Sequence, residues 1–236
     1  MTNDSDGLAE RLRQVRSRIA SAAKRVGRTP EEVQLIAVSK THPPRVLTEA
    51  IAAGVTDLGE NRVQEADEKI GAVGRDAARW HLIGHLQSNK ARRAVQLFDV
   101  IHSLDSVGLT EKLDRACQDL QREQLSVLIQ VDLGQEATKS GVAESDLPQL
   151  VKTVNSCEQL SLMGLMTLPP FFDDAELTRP FFVKLRELRD RFASQGAFGE
   201  RVGELSMGMT HDFEVAIEEG ATMVRVGTAI FGERGQ

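Results

Sequence analysis

Eight short apolar runs recur along this chain, and a helix-length segment follows each of the first seven. The runs are VQLIAVSK (33–40), VTDLGEN (55–61), RWHLIG (79–84), DVIHSLD (99–105), SVLIQVDL (126–133), LSLMGLMTL (160–168), ELSMGM (204–209) and TMVRVGT (222–228). Runs of this length bounded by turn residues read as buried strands. Strands that alternate with helices build a parallel sheet with the helices outside it. Eight such units in 236 residues match a closed (β/α)8, or TIM, barrel, whose usual size is ~250 residues. An open doubly wound sheet is the alternative, but it usually has fewer strands and a glycine-rich first turn, which is missing here. The expected architecture is therefore α/β, a single barrel domain over residues 1–236. An amphipathic helix over residues 7–27 precedes the first strand and carries Leu8, Leu12, Val15, Ile19 and Val26 at helical spacing. Gly54 and Gly220, each between a helical stretch and a strand, read as left-handed helix caps.

In such barrels the active site lies at the C-terminal ends of the strands. Collecting those ends brings together Lys40, Glu60 with Asn61, His85, Asp105, Asp132, Thr167, Ser206 in SMGMT, and Gly227 with Thr228 in RVGT. Ile36, Val38 and Lys40 share one strand face. If that face points inward, the amine emerges above a dry apolar floor, where desolvation makes it nucleophilic toward carbonyls. The plain alternative is a rim lysine leaning into water. Loops after strands seven and eight commonly form a phosphate site in this fold. Gly227 lets an anion approach the main chain, and the Ser206 and Thr228 hydroxyls offer donors; a tight-turn glycine is the simpler reading of Gly227. Arg225, two residues before Gly227 on the same face, either donates to the nitrogen of a heteroaromatic ring or pairs with an acidic side chain inside the barrel. A ligand carrying both an aldehyde and a phosphate satisfies the lysine and the cradle together.

Several classes are disfavoured by composition. The net charge is −6 and no run of five like charges occurs, so a nucleic-acid partner is not expected. No apolar stretch approaches the roughly 20 residues of a membrane span, and the N-terminus lacks the apolar centre of a secretory signal. Cys117 and Cys157 are the two cysteines, with no metal-ligand spacing near either. The expectation is a cytoplasmic protein with reduced thiols, no metal, no membrane contact and a monomeric state.

AVSKTHPPRV, DLGENRVQEA, WHLIGHLQSNK, LMGLMTLPP, LSMGMTHDFEVAIEEG and VRVGTAIFG together resemble the pyridoxal phosphate homeostasis family, also called the YggS or PROSC proteins. The resemblance runs from about residue 33 to residue 232. It implies a barrel similar to the N-terminal domain of alanine racemase, with pyridoxal 5′-phosphate (PLP) on Lys40 through an internal aldimine. It also implies phosphate contacts at Ser206, Gly227 and Thr228, a ring-nitrogen contact at Arg225, and Asn61 near the ring. His211 departs from the acidic or small polar residue frequent after SMGM(S/T) in the family, which touches the start of the following helix rather than the cofactor assignment.

Three functions compete. A PLP-dependent racemase or decarboxylase needs a second acid/base opposite the lysine; related racemases use a tyrosine and an additional β-rich domain, and this sequence contains no tyrosine. His85 and Cys117 are poor substitutes by context, and an arginine at the ring nitrogen makes a weak electron sink. A Schiff-base aldolase acting on a sugar phosphate needs only the lysine and the phosphate site. The preferred reading is a PLP-binding protein that buffers the cofactor and delivers it to apo-enzymes, with little or no catalysis. In that reading Lys139, in the loop after strand five, is a candidate transient amine, and LPPFFDD after strand six a candidate partner contact.

Overall fold

The computed structural model describes residues 4–134 and 140–232. All eight expected strands are present: β1 (Gln34–Val38), β2 (Asp57–Glu60), β3 (Arg79–Leu82), β4 (Val100–Leu104), β5 (Leu125–Gln130), β6 (Leu160–Met166), β7 (Glu204–Met209) and β8 (Met223–Val226). Each pairs in parallel with its sequence neighbour, and β1 pairs with β8, so the sheet closes into a barrel in strand order. The helices are α1 (Asp4–Arg25), α2 (Pro44–Ala52), α3 (Val63–Val73), α4 (Ala91–Leu97), α5 (Val107–Asp119), α6 (Leu147–Asn155), α7 (Arg179–Ser194), α8 (Phe213–Glu218) and α9 (Thr228–Phe231).

Strand alternation divides the core in two. Ile36, Val100, Leu128, Met163, Met166 and Met223 form a small cluster inside the barrel. The opposite faces of the strands, for example Ala37, Leu58, Val127 and Leu165, join the large shell between barrel and helices. A parallel sheet covered in this way is apolar on both faces, which is why its strands read as continuous runs.

Helix α1 packs against α8 and α9 and buries Leu8, Leu12, Val15 and Ile19 as its spacing demands. It stops at Arg25, short of the expected end, and Val26 is exposed rather than on the apolar face. Gly27, at φ +71°, turns the chain out of the helix. Arg28 then donates to Ile217 O near the C-terminal end of α8 and to Ala221 O in the turn that follows it. Gly54 and Gly220 adopt φ +95° and +97°, as their cap positions require.

Gly164 shows how closely the staves approach. It lies opposite Glu204 in the β6–β7 register, and a Cβ there would collide with the Glu204 main chain. Gly164→Ala therefore forces these strands apart and lowers stability by about 1–3 kcal/mol. Urea unfolding of the variant checks this; an unchanged midpoint would show that the seam gives way freely.

Candidate functional site

The site begins where β1 ends. Ile36 points into the barrel, and two residues after the strand Lys40 lies half-buried at the C-terminal mouth. Its neighbours are held firmly. The Ser39 amide donates to Gly59 O at 3.0 Å, and the Ser39 hydroxyl donates to Glu60 Oε1 at 2.6 Å. Lys69, on α3, donates to Ser39 O, Glu60 Oε1 and Glu65 Oε1, each at 2.7 Å. The Thr41 amide donates to the same Glu65 carboxylate. Thr41 sits at φ +70°, a region that a β-branched residue enters only under strain. Lys40 is thus the residue between a pinned strand end and a pinned left-handed turn. Glu60, expected among the mouth residues, instead faces α3; burial pushes its carboxyl up, against the pull of Lys69 and Ser39.

Below the mouth the barrel interior is polar along one line. Asp57 Oδ1 meets His81 Nε2 at 2.9 Å, His81 Nδ1 meets His102 Nε2 at 2.9 Å, and His102 Nδ1 meets the Ser206 hydroxyl at 2.9 Å. Arg225 donates from Nη1 to Ser206 Oγ at 2.6 Å and from Nη2 to Thr167 O at 2.9 Å. Burial lowers the pKa of Arg225 to about 10, with Asp212 opposing the shift, so the guanidinium stays charged at neutral pH. The two hydrogen bonds it makes here go to neutral oxygens, not to an acidic partner.

At the rim, Gly227 N donates to Thr210 Oγ1 at 3.3 Å, and Thr228 is exposed at the start of α9. A Cβ on Gly227 would stand 3.2 Å from Val38 O, so glycine keeps this approach open. Asn61 follows β2, and its Oδ1 is buried with no hydrogen-bond partner among the described residues. Gly84 presses on the Asn61 main chain so closely that any side chain there would collide with it.

Lys40, Asn61, Gly227 and Thr228 lie just past the C-terminal ends of β1, β2 and β8 in the closed barrel, and Arg225 lies buried beneath them on β8. Ser206 is different. Its hydroxyl is fully buried and committed to His102 and Arg225, below the rim where the phosphate contact was expected. The hydroxyl beside Gly227 belongs to Thr210, the last residue of the same SMGMT stretch. The β7–β8 register shifts between Ser206 and Met209, so counting along the strand does not tell which hydroxyl emerges.

Other expected strand-end residues make their contacts elsewhere, apart from Thr167, whose carbonyl receives Arg225. Thr167 donates to Val131 O, and His85 lies exposed with Nδ1 3.3 Å from Asp105 Oδ2. His211 Nε2 is 3.0 Å from Asp173 O, and its ring lies against Phe171. Of the two aromatics in LPPFFDD, Phe171 is exposed while Phe172 folds back onto Phe181. Lys139 lies outside the described residues. Cys117 and Cys157 are both free, with thiols pushed up to about 11 by burial. Among the described residues no group of three or more metal-ligating side chains gathers, and no helix is long and apolar enough to cross a membrane.

The family model for the alanine racemase N-terminal domain matches residues 11–235. A pyridoxal phosphate homeostasis protein from Aquifex aeolicus is 44% identical over 225 residues, covering 95% of this chain and 97% of that protein. The protein of the same name from Escherichia coli K12 is 41% identical over 230 residues, covering 96% and 97%. Among solved structures, PipY of Synechococcus elongatus with PLP bound superposes with a TM-score of 0.80 at 41% identity, covering 95% of this chain and all of that one.

Proposed function

The chain belongs to the pyridoxal phosphate homeostasis protein family, and from that membership we propose that it holds PLP at the mouth of its barrel and serves to keep and pass on that cofactor. The observation that carries this reading is the convergence on one rim of a clamped lysine, a glycine-lined cradle and, just beneath, a buried arginine. The groups present fit PLP. Lys40 supplies the primary amine, Gly227 and Thr228 with Thr210 surround the phosphate, and Asn61 Oδ1, buried with no partner among the described residues, offers an acceptor beside the ring.

When bound, the cofactor supplies an aldehyde that condenses reversibly with an amine, and a pyridine ring that withdraws electrons. Lys40 holds the aldehyde. Arg225 donates to the ring nitrogen and, being a cation, opposes its protonation, which weakens the ring as an electron sink. The 236 residues contain no tyrosine to act as the opposing acid/base of a racemase. Retention and release therefore suit this site better than carbanion chemistry. Recipients are apo-enzymes that use the same cofactor, and the setting is the cytoplasm, with which two free thiols agree.

The test is the visible spectrum of the purified protein, repeated for Lys40→Ala and after borohydride, followed by peptide mass spectrometry. The expected result is a yellow band bleached by borohydride, a pyridoxyl adduct on the peptide containing Lys40, and no band in Lys40→Ala. A protein that stays colourless with added PLP overturns the reading and leaves the sugar-phosphate aldolase in its place.

A further inference from the structure

The interior chain from Asp57 to Arg225 crosses the barrel from β2, β3 and β4 to β7 and β8, and its two ends have fixed roles. A guanidinium only donates, and an ionised carboxylate only accepts. Asp57 is ionised: burial raises its pKa, but hydrogen bonds from His81, Thr56 and Gln34 outweigh this and hold it below the usual carboxylate value. His81 Nε2 must then carry the proton it gives to Asp57. With both histidines kept neutral by burial, His81 Nδ1 is an acceptor, and His102 must donate to it from Nε2. His102 Nδ1 is then an acceptor in turn, and it takes the Ser206 proton. The Ser206 oxygen is left with lone pairs, one of which receives Arg225 Nη1–H. The reverse arrangement sets a lone pair of His81 Nε2 against the Asp57 carboxylate. One polarity therefore runs through all four bonds.

His81 and His102 are fully buried and lie too deep to be rim residues. A pair of histidines that merely filled the core would not need a fixed donor at one end and a fixed acceptor at the other. We propose that His81 and His102 are positioning residues for Arg225: the chain anchored at Asp57 takes the Ser206 proton on His102 Nδ1 and so holds the hydroxyl with its lone pairs toward Nη1, which with Thr167 O fixes which guanidinium N–H groups remain for the ring nitrogen of a bound cofactor. The proposal rests on the cofactor reading above for its function, but the polarity is a property of the protein alone.

Two measurements test it. The first is 15N NMR of the histidine side chains in the protein freed of cofactor, at neutral pH. Both rings are expected neutral with the proton on Nε2; a proton on Nδ1 of either ring, or a charged ring, overturns the chain. The second compares His102→Gln with His102→Leu. Glutamine can accept from Ser206 and donate to His81, whereas leucine can do neither. The leucine variant is expected to bind PLP about tenfold more weakly, the loss of roughly one hydrogen bond, and to shift the visible band. The glutamine variant is expected to keep both near the parent. Equal behaviour of the two variants overturns the positioning role. If the parent itself takes up no PLP, the cofactor reading fails visibly, and the NMR result still decides the polarity.

Discussion

Lys69→Met lowers the free energy of unfolding by about 3–5 kcal/mol, the range seen when one partner of a buried ion pair is removed. Lys69 is 4% exposed and Glu60 is fully buried. The ammonium bonds Glu60, Glu65 and the Ser39 carbonyl at once. Methionine keeps most of the apolar stem, so little cavity is added and the loss is electrostatic. Without Lys69 the Glu60 carboxyl has no counter-charge in its buried setting, and its Oε2 already has no partner among the described residues. The backbone suffers too. The strained Thr41 turn is held through Glu65, whose carboxylate Lys69 orients. Urea unfolding measures the loss, with the m-value expected to stay constant. Adding Glu60→Gln should restore a large part of it, because removing both charges removes the unpaired one. A loss below about 1 kcal/mol, the scale of an exposed pair, would show that water reaches the cluster and that the clamp is not what holds Lys40.

Acid weakens the fold earlier than its carboxylates would suggest. His81 and His102 are both depressed below the ordinary value of 6.5, by burial first of all; the His102 shift is the larger, with His81 and Arg225 adding to it. In the unfolded chain both titrate near 6.5, so below that pH the unfolded state binds up to two more protons than the native one. Stability must then fall with falling pH, by at most about 1.4 kcal/mol per pH unit for each histidine. Above pH ~7 both are neutral in either state and contribute no slope. Glu60 and Asp212, raised by burial, work with the opposite sign and blunt the loss as their own range is reached. Asp57 and Asp99, lowered overall because hydrogen bonds outweigh burial, add to the loss only in stronger acid, below their unfolded values near 3.8. The expected profile is a plateau above neutrality and a decline from about pH 6.5 toward 5. His102→Gln, which cannot titrate, should remove about half of that slope. Unfolding free energies that stay flat between pH 7 and 5 in the parent would mean that the histidines are solvated or already charged.

Much of this protein was legible in one dimension. Strand runs such as LIAVS and VLIQV and helical spacing such as Leu8–Leu12–Val15–Ile19 are local patterns, and eight alternations leave few ways to bury every apolar face. From there Lys40, Asn61, Gly227 and Thr228 follow, because a barrel gathers its strand ends at one mouth whatever their distance in sequence. The helix end at Arg25 was missed because Val26 continues the spacing, while Gly27 breaks the backbone.

What stayed hidden depends on direction and distance in space. Lys69, in EADEK, looks like any solvated lysine on a helix; only docking α3 against β2 buries it beside Glu60. His81 and His102 are ordinary strand residues until β3 pairs with β4 and sets their nitrogens 2.9 Å apart, and only the closed barrel brings Ser206 across to His102. Ser206 and Thr210 are two hydroxyls in five residues, and an irregularity in the β7–β8 register decides that the first turns inward to Arg225 while the second reaches Gly227. Periodicity carries which face a residue occupies, so the sequence by itself determined the barrel and the lysine at its mouth. Hydrogen bonds need partners within about 3 Å, and only the closed structure decided those.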